Sequence, residues 1–465
     1  MKKIDLSISV SVYIPVHNYG KFLAQAIESV LAQKFNDWEL IIIDDGSTDD
    51  SWEIINRYGS HPKIRTMHQD KKGLNVTNNI ALRLSQGKYI MRLDADDYLD
   101  ENALLVLANI LDTHSQVGMV YPDYYIVDEE GGIIEIVRRK KIGQDAELLD
   151  LPALGACTMI RKECLLEVGG YSEEFHCQDG YELWLKFIQS FKPYNLNVPL
   201  FYYRQHPSSL TKDREGILRT RRSIKRSFVK QIKKNKIPRV LAIIPVLKKS
   251  LSAHDSALHP LAGKPLLWYT ISEALKTTMI ERIAVSSDDP EVLEYCNGFP
   301  NIIPIQRPAE LAHASADMGA VVLHALEVLK KENASHPDAV MILYSNTPLR
   351  RSSHIEKCID TMVIFDVDSV IAVAEEVDHF YNHRCNGLCV VNKRAGISLE
   401  RDALYRDSGA IYLSRTAAIS PKRILGERIG HIIMLPEESI RIRNNFDFWL
   451  SERILTDWRK VRHDD

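Results

Sequence analysis

The chain is poor in the features that mark several classes of protein. Its 465 residues include only 7 cysteines, and the formal net charge is −3. Only Cys385 and Cys389 lie close together, and no second pair accompanies them. Few and unclustered cysteines argue against a disulfide scaffold or a zinc site and favour free thiols in a reducing cytosol. A net charge near zero gives no reason to expect nucleic acid as a partner.

Long apolar runs are also lacking, because none approaches the roughly 18 residues that a membrane-spanning helix needs. The first 16 residues carry serine at alternate positions and end in Ile-Pro, which indicates a strand rather than a signal peptide. We therefore expect a cytoplasmic protein, with peripheral contact at the inner membrane face left open. A hydrophobic content of 45% and a charged content of 26% are typical of soluble globular chains. The length predicts two to three domains.

Strand and helix patterns alternate through the first hundred residues. Strands are predicted at 9–15, 38–43, 64–68 and 88–93, with amphipathic helices between them. This alternation predicts a parallel sheet with right-handed crossovers. In such sheets ligands bind beyond the carboxyl ends of the strands, so the residues that follow each strand are the candidates for a site.

Two of the predicted strands end in acidic residues, Asp44 and Asp45 in one case and Asp94, Asp96 and Asp97 in the other. In an extended Asp-x-Asp, Asp94 and Asp96 project to the same side. Two hard oxygen ligands would then stand where a divalent ion meets a phosphate. A carboxylate at the end of the other strand can accept a base or ribose hydrogen bond. The pair predicts a site for a nucleoside diphosphate, and the alternative is a pair of solvated acidic loops.

The segments VYIPVHN (12–18), IDDGSTD (43–49) and LDADD (93–97) resemble the opening motifs of family 2 glycosyltransferases. Those enzymes invert the anomeric centre and have the GT-A fold. The resemblance continues through GACTMIRK (155–162) and VGGY (168–171), and covers roughly residues 8 to 211. It implies donor-nucleotide binding by Pro15, His17, Asp44 or Asp45, and Asp94. It also implies a Mg²⁺ or Mn²⁺ cofactor on Asp96.

The segments QDGYELW (178–184) and YYRQHPSS (202–209) extend the resemblance. The first places the catalytic base at Asp179, although the acidic residue that usually precedes it in the family is Gln178 here. Asp179 is also a natural N-cap for the helix that follows, and the two roles are compatible. The second resembles the family's Tyr-Arg-x-His-x-x-Ser segment, which makes His206 a candidate ligand for metal or diphosphate. A structural role for that histidine is the alternative.

Residues 214–237 form a strongly basic stretch in which Ile217, Ile224, Phe228 and Ile232 recur at helical spacing. The pattern predicts an amphipathic basic helix that links two domains. Most such helices are solvated connectors with one face packed down. The alternative is a surface helix attracted to anionic lipid.

The second half of the chain repeats the alternation of strands and helices. Segments at 260–266, 285–289, 307–312 and 347–350 resemble the CMP-sugar synthetases, which are cytidylyltransferases. The resemblance fails at three points. Leu247 to Leu251 stands where the family has its triphosphate loop, Ser408 replaces an asparagine, and Arg441 and Arg443 replace a pair of metal-binding aspartates. Guanidinium groups at those positions should exclude Mg²⁺. We therefore expect a domain that has lost catalysis.

Together these observations predict an α/β protein with two Rossmann-like, GT-A-type nucleotide-diphospho-sugar transferase domains, each a mainly parallel sheet flanked by helices. The expected limits are 1–213 for the glycosyltransferase domain, 214–237 for the linker and 238–465 for the cytidylyltransferase-like domain. The expected partners are a nucleoside-diphosphate sugar donor and a saccharide or glycoconjugate acceptor. A homo-oligomer formed through the second domain is a further expectation. The alternatives are a bifunctional transferase and synthetase, or a non-enzymatic scaffold that binds nucleotide sugars.

Overall fold

A computed structural model describes residues 8–139, 155–175, 179–206, 214–231, 237–248, 256–331, 336–376, 380–384, 387–390 and 404–458. The described chain divides into two compact units. The first runs through Ile224 and the second begins at Lys225, so the boundary falls inside a helix. Among these residues, no helix is both long enough and apolar enough to cross a membrane.

The first unit consists of strands and helices in near alternation. They are β1 (Val10–Val16), α1 (Gly20–Leu31), β2 (Trp38–Asp45), α2 (Ser51–Tyr58), β3 (Ile64–Gln69), α3 (Leu74–Leu84), β4 (Tyr89–Arg92), β5 (Tyr98–Leu99), α4 (Ala103–Thr113), β6 (Val117–Val127), β7 (Ile133–Val137), β8 (Met159–Arg161), α5 (Lys162–Glu167), α6 (Asp179–Ser190), β9 (Lys192–Arg204) and α7 (Arg214–Gln231).

The sheet of the first unit has the strand order β3-β2-β1-β4-β8-β6-β9-β5, with β7 paired to β6. The strands β3, β2, β1 and β4 are parallel, whereas β8 is antiparallel to both β4 and β6. The predicted α/β class is confirmed, and the sheet is mainly parallel only in its first half. All eight residues of β2 are buried, which explains its nearly continuous apolar run. Helix α1 packs its apolar stripe, including Leu23, Ile27 and Val30, into the same core.

The basic segment forms the predicted helix, α7, and residues 232–236 lie outside the described part. Its basic side chains have two environments. Arg226 forms an ion pair of 3.3 Å with Asp360, and Lys225 is buried beside Thr361. Arg219, Arg222 and Lys230 are exposed. Part of the basic face is therefore used in packing, and contact with a membrane stays a prediction.

The second unit is also a sheet with helices. Its elements are β10 (Val240–Val246), β11 (Pro260–Leu261), β12 (Lys264–Pro265), α8 (Leu266–Leu275), β13 (Ile280–Ser287), α9 (Pro290–Cys296), β14 (Ile302–Gln306), α10 (Met318–Lys331), β15 (Ala339–Ile342), α11 (Ser352–Phe365), β16 (Ser369–Glu376), β17 (Tyr381–Arg384), β18 (Gly387–Val390), β19 (Leu404–Arg415), β20 (Ile429–Met434) and α12 (Asn445–Arg453).

The main sheet of the second unit has the strand order β14-β13-β10-β15-β19-β16-β20. Strands β14, β13, β10 and β15 are parallel, and β19 is antiparallel to its neighbours β15 and β16. The carboxyl ends of β13, β10 and β15 therefore meet at one edge, as the same ends of β2, β1 and β4 do in the first unit. The two units share the layout that the sequence predicts.

Candidate active site

The first acidic pair of the predicted site lies inside a strand rather than in the turn after it. Parallel pairing continues to the last residue of β2, where Asp44 lies opposite His68 and Asp45 opposite Gln69 on β3. Pro15 and Val16 on β1 complete this edge, opposite Ile43 and Asp44. The sequence predicts that the strand ends at Ile43, because aspartate is a poor strand former. The pairing of Asp44 and Asp45 with β3 is not visible in the local sequence pattern.

Asp45 is a structural clamp in this fold. One carboxylate oxygen accepts hydrogen bonds from Gln69 Nε2 and the backbone N–H of Lys72, and the other accepts from the N–H of Gly73, all at 2.8 Å. The side chain is 5% exposed. These bonds hold the loop after β3 against the end of β2. The next residue, Gly46, has φ +70°, and a Cβ there would lie 2.7 Å from the backbone nitrogen of Lys71. The approach of the two loops therefore requires glycine.

Asp44 is fully buried and has a different set of partners. Its Oδ2 lies 2.7 Å from Nδ1 of His68, a side chain that is about half exposed, and its Oδ1 accepts a bond from the N–H of Ser47. The buried carboxylate of Asp44 is therefore in contact with a side chain that is itself exposed at the surface. His17 lies at the same edge, with Nδ1 2.9 Å from the Asp45 carbonyl oxygen and Nε2 2.9 Å from Lys71 Nζ.

The loop after β1, residues 17–20, joins the two acidic regions. On one side its backbone is bonded to the 47–51 loop, where the N–H of Asn18 donates to the Ser47 hydroxyl and the N–H of Gly20 donates to Asp49. On the other side, Tyr19 faces the second acidic segment. Burial, and then the charges of Asp96, Asp94 and Asp97, raise the pKa of Tyr19 to about 12. Tyr19 thus lies close to the three carboxylates that follow β4.

The second acidic segment is a turn, which corrects the expectation of an extended Asp-x-Asp. The N–H of Asp97 donates to the Asp94 carbonyl oxygen at 3.1 Å, and the four residues reverse the chain between β4 and β5. The carboxylates therefore have separate partners. Asp94 pairs with Arg92 at 2.8 Å, and Asp96 Oδ2 lies 3.0 Å from Nε2 of His206. The strand β4 ends at Arg92, so no pairing holds the acidic residues in an extended conformation.

Asp97 lies beneath this turn and is almost completely buried. Burial, followed by the charges of Asp96 and Asp94, holds the pKa of Asp97 well above its usual range. One of its oxygens accepts the N–H of Arg204 at 3.0 Å, and the other is buried with no hydrogen-bond partner in the described structure. Three carboxylates so close together leave an excess of negative charge that a bound cation would relieve.

Arg204 is a positioning residue whose role the sequence does not reveal. It is 2% exposed, and its Nε donates to the Asp96 carbonyl oxygen at 3.0 Å. Its Nη atoms donate to the Glu129 carbonyl oxygen and to Gln25 Oε1, and its guanidinium stacks over Phe22. The motif that carries His206 also contains this arginine, but only the fold shows that it fixes the backbone of the acidic turn.

The proposed base, Asp179, begins helix α6, and the structure describes its backbone and not its side chain. Gln178 lies outside the described residues. The next residue, Gly180, lines a small cavity together with Tyr13, Arg92 and Tyr171. Arg92, which lines the same cavity, is the ion-pair partner of Asp94.

The site residues fit a divalent cation whose coordination shell is incomplete without substrate. Within the ranges described, no group of three or more His, Cys, Asp or Glu side chains converges to hold a metal ion alone. Asp96 and His206 converge as a pair beneath Tyr19 and Phe22. Mg²⁺ is commonly held by one or two carboxylates, with substrate phosphates and water completing the shell. The buried Asp97 oxygen without a hydrogen-bond partner in the described structure points the same way.

Comparison with known proteins identifies the two halves. The sequence model of glycosyl transferase family 2 matches residues 11–169, and that of the cytidylyltransferases matches residues 242–430. The chain is 30% identical over 206 residues to the UDP-Glc:alpha-D-GlcNAc-diphosphoundecaprenol beta-1,3-glucosyltransferase WfaP of Escherichia coli, covering 43% of this chain and 79% of that protein. The chain belongs to glycosyl transferase family 2. Its second half is a cytidylyltransferase-like domain, as the sequence predicts.

Other relatives are much longer than the shared region. The family 2 domain is 37% identical over 135 residues to the chondroitin synthase of Escherichia coli, a match that covers 29% of this chain and 19% of that protein. Among solved structures, Staphylococcus aureus TarS 1-349 in complex with UDP-GlcNAc is 17% identical. It covers 49% of this chain and 68% of that one, with a TM-score of 0.42. The GT-A-type fold rests on the family match and on the topology above.

Proposed function

We propose that the first unit is a metal-dependent, inverting glycosyltransferase that moves a sugar from a nucleoside-diphosphate donor to a hydroxyl acceptor. The observation that carries the proposal is the convergence of Asp96 and His206 at the acidic turn. This pair lies at the carboxyl edge of the sheet, where only β1 separates β4 from β2 and its Asp44–His68 pair. One end of the edge suits a nucleoside and the other a charged diphosphate.

In the proposed reaction, the acceptor hydroxyl oxygen attacks the anomeric carbon and the nucleoside diphosphate leaves with the electrons of the broken bond. A Mg²⁺ or Mn²⁺ ion on Asp96 and His206 would supply neutralisation of the charge on the leaving diphosphate. Asp179 takes the proton of the acceptor hydroxyl. Arg204 keeps the acidic turn in place, while His68, His17 and the buried Asp44 form the nucleoside side of the site.

The acceptor is proposed to be a saccharide or glycoconjugate of a polysaccharide pathway. Support comes from the names of the relatives, which include the WfaP glucosyltransferase, whose named acceptor is a lipid-linked GlcNAc diphosphate, and chondroitin synthase. UDP-sugars are therefore the first donors to try. The second unit is proposed as a non-catalytic module for nucleotide binding or oligomerisation.

The test is donor turnover by purified full-length protein, with UDP-, GDP-, dTDP- and CMP-sugars in Mn²⁺ or Mg²⁺. Asp96→Ala and Asp179→Asn are compared with Asp112→Ala, which removes an exposed carboxylate that pairs with Lys88 on the surface. We expect turnover of one donor, a loss of at least about 100-fold in each site variant, and little change in the control. The product should have the anomeric configuration opposite to that of the donor.

Several results would contradict the proposal. Retention of the anomeric configuration would exclude the single-displacement mechanism. Full activity in EDTA would exclude a requirement for a metal ion. If CTP and an acidic sugar were consumed with pyrophosphate release, the protein would be bifunctional. The Arg441 and Arg443 side chains at the family's metal-binding positions argue against that alternative. Nucleotide-sugar binding without turnover, tested with a panel of saccharide acceptors, would favour the scaffold alternative.

A further inference from the structure

An exposed arginine covers the carboxyl edge of the sheet in the second unit. The guanidinium of Arg441 lies 5.6 Å from the ring centre of Tyr344, just beyond the end of β15. On its other side it packs against Gly409 of β19, where a Cβ would lie 3.0 Å from Arg441 Cδ and 3.1 Å from Nη1. Gly409 also has φ +68°, so this contact depends on a glycine. Arg441 is therefore exposed on one side, while its contacts with Tyr344 and Gly409 hold the side chain in place.

The neighbouring backbone determines where this side chain lies. Ile442 is 6% exposed and packs with Leu261 and Phe448. Its N–H donates to the Asn346 carbonyl oxygen at 2.8 Å, and its own carbonyl oxygen accepts from Asn346 Nδ2 at 3.3 Å. With residue 442 anchored in this way, Arg441 is directed to Tyr344. Arg443 instead pairs with Asp447 at the start of α12 at 3.3 Å.

A second guanidinium borders the same edge and is nearly buried. Arg307 is 3% exposed, and its Nε and Nη2 donate to the hydroxyl and carbonyl oxygens of Ser286 on β13. Within the described ranges, Nη1 has no hydrogen-bond partner, and Arg307 makes no ion pair with a carboxylate. Burial lowers the pKa of Arg307, and the charge of Asp288, which lies beyond ion-pair distance, acts to raise it. A nearly buried guanidinium without a paired anion is costly unless a ligand supplies the anion.

The acidic groups nearby are already engaged. Asp407 accepts the hydroxyl of Tyr412 and the N–H of Gly409, and Asp288 accepts the N–H of Lys248. The Tyr344 ring, just beyond the end of β15, is the contact of Arg441. Burial raises its pKa, and Arg441 and Arg307 both act to lower it. Arg307, bonded to Ser286 of β13, and Arg441, over Tyr344 beyond β15, both lie at the edge where α/β sheets bind ligands.

We propose that Arg441 and Arg307 form a metal-independent site for a phosphate-bearing ligand. The inference rests on the proposed non-catalytic role of the second unit and names its ligand chemistry. Related cytidylyltransferases carry two aspartates for a metal ion at the Arg441 and Arg443 positions. Here a guanidinium occupies that place and meets the phosphate directly through forked N–H donors. The site therefore binds phosphate without the cation that activation of CTP requires.

The experiment is calorimetric titration of full-length protein with CTP, CMP and inorganic phosphate in excess EDTA, and again in Mg²⁺. Arg441→Ala is compared with Arg443→Ala. The control removes the same charge two residues further along the chain, from an arginine that pairs with Asp447. We expect binding in EDTA, weakened at least about tenfold by Arg441→Ala and less than twofold by Arg443→Ala. Tighter binding of the nucleotides than of phosphate would identify a nucleotide as the source, and equal binding would identify free phosphate.

Three outcomes would overturn the inference. They are binding that requires Mg²⁺, equal weakening by the two variants, and no binding of CTP, CMP or phosphate in either condition. Glycosyl transfer is measured on the same preparations. Transfer that persists while no phosphate compound binds in EDTA would refute this site and leave the proposed function standing. Phosphate binding that depends on Arg441, without any glycosyl transfer, would support this site and contradict the proposed function.

Discussion

At the scale of single residues, identical side chains have different roles because they meet different partners. Asp44 and Asp45 are adjacent, yet Asp45 clamps a loop through backbone N–H groups, whereas Asp44 orients the half-exposed His68. Asp94 and Asp96 divide in the same way between Arg92 and His206. A carboxylate held by an arginine is already neutralised. Asp96 is therefore the better candidate for a metal ligand.

His206→Gln tests this assignment. Loss of the imidazole beside Asp96 should raise the Mn²⁺ concentration for half-maximal donor turnover at least about tenfold. The matched control is His68→Gln, which alters the other histidine-carboxylate pair and should raise the KM for donor with the metal requirement unchanged. Metal titration of both variants is the measurement. An equal metal requirement in the two would exclude His206 from the metal site. Melting temperatures check that both variants fold.

At the scale of elements, the ends of strands and helices are held by single acidic side chains. The end of β2 is tied to the loop after β3 through Asp45, and the start of α11 is tied to residues 436–438 through Glu438. In both cases a carboxylate accepts several donors from segments far apart in sequence. Removing one acceptor leaves a buried donor unpaired, and that is costlier than losing an exposed bond.

Asp45→Asn should destabilise the first unit by about 1–3 kcal/mol. The amide nitrogen would face one of the N–H groups of Lys72 or Gly73, and neither donor could find another acceptor there. Asp70→Asn, at an exposed position at the start of the same loop, should change stability by less than about 0.5 kcal/mol. Urea unfolding of the two variants measures the difference. Equal stabilities would mean that Asp45 does not hold the loop.

Glu438 should make the second unit sensitive to acid. Burial acts to raise its pKa, but the hydrogen bond and the charge of His354, followed by the charge of Arg351, outweigh burial and lower the pKa to about 2. A carboxyl with a depressed folded pKa stabilises above its unfolded pKa, near 4.5, and loses that stabilisation as the pH falls toward 2.

The expected result is a loss of up to about 3 kcal/mol across that interval in the wild type. Glu438→Gln should be less stable at pH 7 and should lose less on acidification. Urea midpoints at pH 7, 5, 4 and 3, followed by tryptophan fluorescence, give the comparison. Glu427→Gln serves as the control, because it removes an exposed carboxylate of the same unit. Parallel acid profiles in the wild type and Glu438→Gln would refute the assignment.

At the scale of the whole molecule, each unit has its own apolar core and its own sheet. We therefore expect each unit to unfold cooperatively by itself. A ligand should stabilise the unit that binds it. A donor nucleotide with Mn²⁺ at 100 times its Kd adds about 2.7 kcal/mol to the unit concerned.

In calorimetric scans we expect two transitions, of which the donor nucleotide with Mn²⁺ raises one. Asp96→Ala should abolish that metal-dependent rise, and Asp112→Ala should preserve it. A CTP effect in EDTA should fall on the other transition and should disappear in Arg441→Ala. A single transition, or equal shifts of both by either ligand, would contradict independent sites in the two units.

The amino-acid sequence by itself determined the α/β class, most strand positions, and the locations of both acidic segments. These are local properties, because periodicity and turn composition are read over a few neighbouring residues. The same holds for the replacement of two aspartates by Arg441 and Arg443. Pairing direction was less visible, so the antiparallel β8 was not foreseen in a sheet expected to be mainly parallel.

Only the tertiary structure decided which of these residues act together. His206 meets Asp96 across 110 residues, and Arg204 fixes the same turn across 108. The turn replaced the expected extended Asp-x-Asp because its conformation depends on those distant partners. Likewise, Arg441 and Arg307 border one edge because β13, β10 and β15 are neighbours in the sheet. Contacts over such separations arise from the packing of whole elements, which no local pattern encodes.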